Sequence, residues 1–386
     1  MILTLCATGV LLAFQPQVLR VAERRARNVA PRPSSAPVAA GSLLRLAARA
    51  SPGGSPVSLT VSADRGEAAA ASFGRERTLY LDPATGAVTG SGSAGWRAFF
   101  AKVQDVHRWL AFDGDRRELG KAVTGAASFA FLGLALTGLY IWWPRLRGFE
   151  RAGSVALFRR GLSGKARDFN WHNVIGVWSA PVLLVLTATA LPMSYRWANA
   201  LVYRIAGGDP PPAGAEGRPR SGREAGGAPL SPADAAALDR LWRVAAARSP
   251  GWRAITLRVP ERRGAPVGFT IEESGYANRF ARSSLTLDPK TGAVVRWEPY
   301  AEASGGRRLR SWMRFLHTGE ALGPAGQTAA AAASLGGTLL AVTGISLALR
   351  RFRAWRIRRA VSPRSIASRS PDRAEPELGR TKGATS

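Results

Sequence analysis

The chain has 386 residues, of which 46% are hydrophobic, and carries 54 Lys and Arg against 26 Asp and Glu for a net charge of +28. That length allows two or three domains, and with Cys6 as the single cysteine neither a disulfide framework nor a thiolate metal site is available. The basic residues carry no helix-turn-helix, zinc-finger or RNA-binding signature, so no nucleic-acid partner is expected.

Residues 1–14 form an apolar run, Met1 to Phe14. It is shorter than the roughly 20 residues that cross a bilayer core as helix, and it lacks the basic start and cleavage site of a signal peptide, so it reads as a clipped first span. Residues 15–106 predict a small α+β domain outside the membrane, with a helix near Ser42 to Ala50 and strands near Val57 to Ser62 and Ala69 to Phe73. Its closing hairpin is Arg77-Thr-Leu-Tyr-Leu-Asp-Pro-Ala-Thr-Gly-Ala-Val88. Asp and Pro open a type I turn there, and Gly supplies the left-handed residue that closes it.

Residues 107–143 hold the end of an aromatic and basic segment, Trp96 to Leu110 with His107, and a second span in which Ala122 to Trp143 is free of charge. Residues 144–171 are a loop with seven Lys or Arg against two acids. Residues 172–197 are a third span, charge-free from Val174 to Tyr195. Residues 198–309 begin with a flexible Pro, Gly and Arg linker between Gly207 and Pro229 and continue as a second small domain. Ser231-Pro232 caps a helix to about Arg248, strands follow near Ala254 to Val259 and Val267 to Glu272, and the hairpin Ser283-Ser-Leu-Thr-Leu-Asp-Pro-Lys-Thr-Gly-Ala-Val294 repeats the Leu-x-Leu-Asp-Pro-x-Thr-Gly-Ala-Val pattern of the first. Residues 310–349 repeat the histidine segment, Arg310 to Gly319 with His317, and a span charge-free from Ala321 to Leu349. Residues 350–386 are a basic tail, eleven Lys or Arg against three acids, expected to be disordered beyond Ala360.

The expected fold is therefore an internally duplicated membrane α-helical bundle of four spans, the first truncated, with two small α+β domains outside the cytoplasm. The repeating unit is span, outer domain, histidine segment, span, and Thr137-Gly138 recurs as Thr343-Gly344 in the closing spans. The short basic loop and the basic tail are cytoplasmic by the positive-inside rule, whereas the two long connections are too long for their charge to decide their side.

All three histidines lie at membrane edges: His107 before the second span, His172 at the third and His317 before the fourth. A histidine beside Trp and Arg is also what an interfacial anchor looks like. Neutral imidazole is, however, the usual nitrogen ligand of haem iron, and His107 and His317 hold equivalent places at the outer side, where two helices could each give one ligand. His172 lies at the inner edge without a partner. Arg108, Arg310 and Arg314 are candidates for haem propionates, because the guanidinium fork fits a carboxylate.

Val106-His-Arg-Trp-Leu110, Leu136-Thr-Gly-Leu-Tyr-Ile-Trp-Trp-Pro144, Asp168-Phe-Asn-Trp-His-Asn-Val-Ile-Gly176, the two Asp-Pro-x-Thr-Gly hairpins and Phe315-Leu-His-Thr-Gly319 together resemble the PepSY-associated transmembrane family over nearly the whole chain except the tail. The outer domains are then PepSY-like. The resemblance implies a bacterial inner-membrane, multi-pass protein linked to iron uptake: a haem b electron-transfer protein that takes electrons from a quinol or cytoplasmic donor and reduces periplasmic, siderophore-bound ferric iron. A ferric-siderophore reductase would be an oxidoreductase whose side chains need not act as acid, base or nucleophile, since haem carries the redox step. The alternative is a non-enzymatic PepSY protein, anchored in the lipid bilayer, that binds or inhibits a periplasmic peptidase or another protein. Transport is disfavoured, because the charge-free spans lack the ionisable residues that mark ion pathways. Aligning Leu186-Thr-Ala-Thr-Ala190 on Leu5-Cys-Ala-Thr-Gly9 places the counterpart of His172 upstream of Met1, where the family's first span usually carries a histidine. The expectation is either an upstream extension that supplies it and completes an inner haem with His172, or loss of that haem.

Overall fold

The computed structural model describes residues 1–32, 36–51, 54–146, 153, 155–210, 230–274 and 280–361. The expected disordered tail, and most of the expected linker, lie outside the described residues.

Three helices are long and apolar enough to cross a bilayer: α6 (Arg116–Leu146), α7 (Gly164–Ser194) and α11 (Gly323–Val361). The first apolar run forms α1 (Ile2–Ala13), which continues after a bend of 41° as α2 (Gln15–Ala22), and the two together also pass that test as one broken span. Pro16 at the start of α2 has no N–H to offer the carbonyl one turn back, which breaks the ladder there. Gln327 of α11 answers the break by donating its Nε2 to the Ala13 carbonyl at 2.8 Å. Small residues let the helices close up: a Cβ on Gly337 of α11 would stand 2.7 Å from Cys6 Sγ of α1, and one on Gly176 of α7 would stand 2.2 Å from the Trp142 ring of α6. At the far end of the bundle Arg350 of α11 meets Asp168 of α7 at 3.0 Å.

The sequence predicts two separate small domains; the structure merges their strands. β1 (Ser58–Ser62), β2 (Ala69–Ser72), β3 (Thr78–Leu81) and β4 (Val88–Ser91) join β5 (Trp252–Arg258), β6 (Val267–Glu273), β7 (Arg282–Leu287) and β8 (Val294–Glu298) in one antiparallel sheet of order β4-β3-β2-β1-β5-β6-β7-β8. β1 and β5 pair from Ser58↔Arg258 to Ser62↔Ala254, and the Thr60 and Thr256 hydroxyls share a 2.9 Å hydrogen bond across the seam. The pairing removes two exposed strand edges, each a row of unpaired N–H and C=O groups. It also fuses two small cores, because α4 (Ala40–Ala50) and α9 (Pro232–Arg248) pack side by side on one face. Leu43, Leu44, Leu241, Leu59, Leu257 and Leu285 are all at most 2% exposed in that common core.

The local signals held. Ser231 caps α9 in a capping box with Asp234, and Pro232 follows at its start. Asp82 Oδ1 accepts from Ala84 N at 2.8 Å and Asp288 Oδ1 accepts from Thr291 N at 2.8 Å, while Gly86 (φ +75) and Gly292 (φ +72) close the two hairpins from the left-handed region. Beside each turn the register shifts by a bulge, opposite Tyr80/Leu81 and opposite Thr286/Leu287.

A buried ionic joint ties the bent first helix to the sheet. Glu23, between α2 and α3 (Arg24–Arg27), has a fully buried side chain. It accepts from Arg97 at 2.6 and 2.8 Å, from the Tyr80 hydroxyl at 2.7 Å and from Ser93 N at 3.0 Å. Burial alone would raise its pKa, but the Arg97 and Tyr80 hydrogen bonds outweigh that and hold the carboxyl below the usual carboxylate range.

Candidate functional site

Two helices lead from the sheet back to the bundle: α5 (Ala94–Trp109) after β4, and α10 (Gly305–His317) after β8. Each carries its histidine in its last turn. The His107 and His317 rings come together with centres 6.4 Å apart and planes inclined by 59°. The two helices that the sequence placed far apart thus present one imidazole each to the same point.

Each ring is held from behind by a bundle helix. His107 Nδ1 lies 2.7 Å from Thr8 Oγ1 of α1. His317 Nδ1 lies 2.8 Å from the Leu186 carbonyl and 3.3 Å from Thr189 Oγ1, both of α7. His172 stands apart from this pair. It sits on α7, and its seventeen-residue separation from Thr189 corresponds to roughly 25 Å at a helical rise of about 1.5 Å per residue. Its Nδ1 lies 2.9 Å from Thr343 Oγ1 of α11.

The chain reverses sharply after His107. Leu110 (φ +59) and Ala111 (φ +58) both adopt the left-handed conformation, which costs a residue with a Cβ roughly 1–2 kcal/mol. The corner is closed by Thr124 of α6, whose hydroxyl donates to the Arg108 carbonyl at 3.1 Å, and by Gly120, where a Cβ would stand 2.1 Å from the Trp109 carbonyl oxygen.

Of the three expected arginines, Arg310 donates its Nε to Asn199 of α8 (Arg196–Ala206) at 2.9 Å. Arg108 lies over the Trp109 ring at 4.5 Å and Arg314 over Phe315 at 5.7 Å. Surrounding protein, followed by the neighbouring Arg314 and Arg75 charges, holds Arg108 below the ordinary arginine range. Crowding of cations beside the histidine pair makes that rim receptive to an anion.

The sheet also touches both histidine helices. Arg75, in the β2–β3 turn, donates to Asp105 at 2.8 Å and to Gln104 at 3.2 Å. Phe280, in the β6–β7 loop, stacks on Phe315 with ring centres 3.6 Å apart. Asp105 and Phe315 each stand two residues before their histidine. Sequence reading missed these contacts and the threonine partners. Thr8, Thr189 and Thr343 were visible only as landmarks of the repeat, since a threonine in an apolar helix looks like any small residue.

Residues 1–355 match the PepSY-associated TM region. The chain belongs to the PepSY-associated transmembrane family. No individual curated protein matches it. As a member of this family with three long apolar helices and a bent fourth pair, it is a multi-pass membrane protein in contact with lipid. The match spans the sheet, both histidine helices and the bundle, and ends within α11 at Trp355, so only the basic C-terminal end lies beyond it.

Proposed function

We propose that this family member is a haem b electron-transfer protein of the bacterial cytoplasmic membrane, duplicated internally with four spans, in which His107 and His317 ligate one haem near the outer surface. The observation that carries the reading is the imidazole pair. A transition-metal ion binds an imidazole nitrogen at roughly 2 Å, and the ring centre lies about 1 Å further back, so two rings on opposite sides of one ion have centres about 6 Å apart. The 6.4 Å between the His107 and His317 ring centres is close to that. Two imidazoles leave four places open on an octahedral iron, the number a porphyrin fills. Among the described residues no group of three or more His, Cys, Asp or Glu comes together, so a prosthetic group suits the donor set better than a bare ion.

Haem, when bound, would supply one-electron chemistry; the chain's own residues bind and orient it. Arg108 and Arg314 would hold its propionates, and Arg310 would join them by exchanging Asn199. His172 would serve an inner haem whose second ligand is not in this sequence. With the sheet outside and the basic loop and C-terminal end inside, electrons from a quinol or cytoplasmic donor would reach an outer acceptor. Siderophore-bound ferric iron is the acceptor the family resemblance suggests, and its reduction weakens chelation.

The absorption spectrum of the reduced, purified protein tests the reading. A low-spin haem spectrum should be present, and His107→Ala and His317→Ala should each remove the same outer signal, with the double variant removing no more. His172→Ala should leave that signal intact. A colourless protein, or two separable signals lost one by one, would refute the shared-ligand site.

A further inference from the structure

The three histidines share one feature that ligation by itself does not require: each Nδ1 faces a threonine hydroxyl on a neighbouring bundle helix. We infer that Thr8, Thr189 and Thr343 are positioning residues that fix all three rings as Nδ1–H tautomers, with Nε2 left free as the donor atom. For His107 and His317 this deepens, and rests on, the haem reading above.

The hydroxyl protons decide the tautomer. A threonine has one proton to give. Thr8 gives it to its own helix, to the Thr4 carbonyl at 2.6 Å; Thr189 gives it to Val185 at 2.6 Å; Thr343 gives it to Leu339 at 2.8 Å. With that proton committed, each oxygen can only accept from the facing imidazole, so Nδ1 must carry hydrogen. At His317 the Leu186 carbonyl makes the same demand independently, because a carbonyl oxygen cannot donate. An imidazole whose Nδ1–H donates to an oxygen has a fixed ring plane and a more basic Nε2, which makes it a better ligand for the oxidised metal and lowers the reduction potential.

The two outer rings are not held equally. The Leu5 carbonyl faces His107 as the Leu186 carbonyl faces His317, but the shortest contact of His107 is with a side chain, Thr8 Oγ1 at 2.7 Å, whereas that of His317 is with the Leu186 carbonyl at 2.8 Å, Thr189 Oγ1 standing further off at 3.3 Å. Thr8→Val should therefore act more strongly than Thr189→Val. Thr343→Val, at the other end of the bundle, should leave the outer centre unchanged.

The experiment is a redox titration of the full-length detergent-solubilised protein, with haem content and the g-values of the oxidised form measured alongside. At a fixed potential near the midpoint, Thr8→Val should raise the reduced-to-oxidised ratio about threefold to tenfold, tenfold being 59 mV for one electron, and shift the g-values. It should also lower haem affinity by about tenfold or more, the usual effect of removing a partner of a ligating histidine. Thr8→Ser, which keeps the oxygen, should restore all three readouts. The inference is overturned if Thr8→Val matches the unsubstituted protein in every readout, if Thr8→Ser fails to rescue a folded protein, or if Thr343→Val perturbs the outer centre as strongly as Thr8→Val does. If His107→Ala and His317→Ala retain the haem signal, it is the haem reading itself that fails.

Discussion

Glu23 shows how a single residue fixes the geometry of the histidine site from a distance. It lies just beyond the bent first helix and holds Arg97, on the helix whose last turn carries His107, so the threonine behind that ring and the ring itself are tied to one joint. Glu23→Gln removes the charge but nearly keeps the shape, leaving Arg97, with 18% of its side chain exposed, without its counter-ion. Breaking a buried pair by neutralising one member costs about 3–5 kcal/mol, and the apparent unfolding temperature should fall accordingly. The pH dependence has a definite sign. Because the folded-state pKa of Glu23 is lowered, its stabilisation is present above the ordinary carboxylate pKa and is lost as pH falls through the folded value. The unsubstituted protein should therefore lose more stability than E23Q between neutral and acid pH. Equal losses in thermal scans would show that the joint carries no charge-dependent stability.

Among the elements, the corner between α5 and α6 is where local sequence and tertiary demand conflict. The corresponding turn after α10 uses Gly319 (φ +74), whereas the turn after α5 places Leu110 and Ala111 in the left-handed region. Backbone strain of this kind persists only where neighbouring structure over-determines it, and here Thr124 and Gly120 of α6 clamp the carbonyls of Arg108 and Trp109. Gly120→Ala would drive its Cβ into the Trp109 oxygen and push apart the helix that carries His107 and the helix that follows. The expected result is loss of the haem signal proposed for the histidine pair with the sheet still folded; Lys121→Ala, one position on, should have little effect. What the sequence disclosed at this scale was whatever chemistry is local: the Asp-Pro-x-Thr-Gly turns, the Ser231-Pro232 cap and the charge-free spans each depend on a few adjacent residues. The joining of β1 to β5 was hidden because those strands lie 196 residues apart at the Thr60↔Thr256 pair, and their alternation of polar and apolar residues marks a strand without naming its partner. The convergence of His107 and His317 was legible from the repeat, but the threonines behind them were not, since nothing in a lone Thr states which face of its helix meets a ring.

Across the whole molecule, the contacts at the two ends of the bundle define a direction. Gln327 meets Gln17 and the Ala13 carbonyl at the end that bears the histidine pair, while Arg350 meets Asp168 at the other. Among the described residues, the elements that lead between the bundle and the sheet are α2 and α3, α5, α8 and α10, all at the first end. Its two strand sets are joined through β1 and β5, so they share one side of the membrane whichever way the chain inserts. The described part of the basic C-terminal end starts at Arg350, which meets Asp168 of the basic loop at the second end, and short basic segments stay in the cytoplasm. Cys6 is the only native thiol and is buried, so Cys6→Ser provides a clean background for single-cysteine labelling in intact cells. Thr85→Cys in the β3–β4 turn and Lys290→Cys in the β7–β8 turn should both react with a thiol reagent that cannot cross the membrane, whereas Arg160→Cys should react only after permeabilisation. Labelling of Arg160→Cys in sealed cells would invert the orientation and put the histidine pair on the cytoplasmic side. Opposite behaviour of Thr85→Cys and Lys290→Cys would be more damaging, because a sheet continuous from β4 to β8 cannot have its two ends on opposite sides of a bilayer.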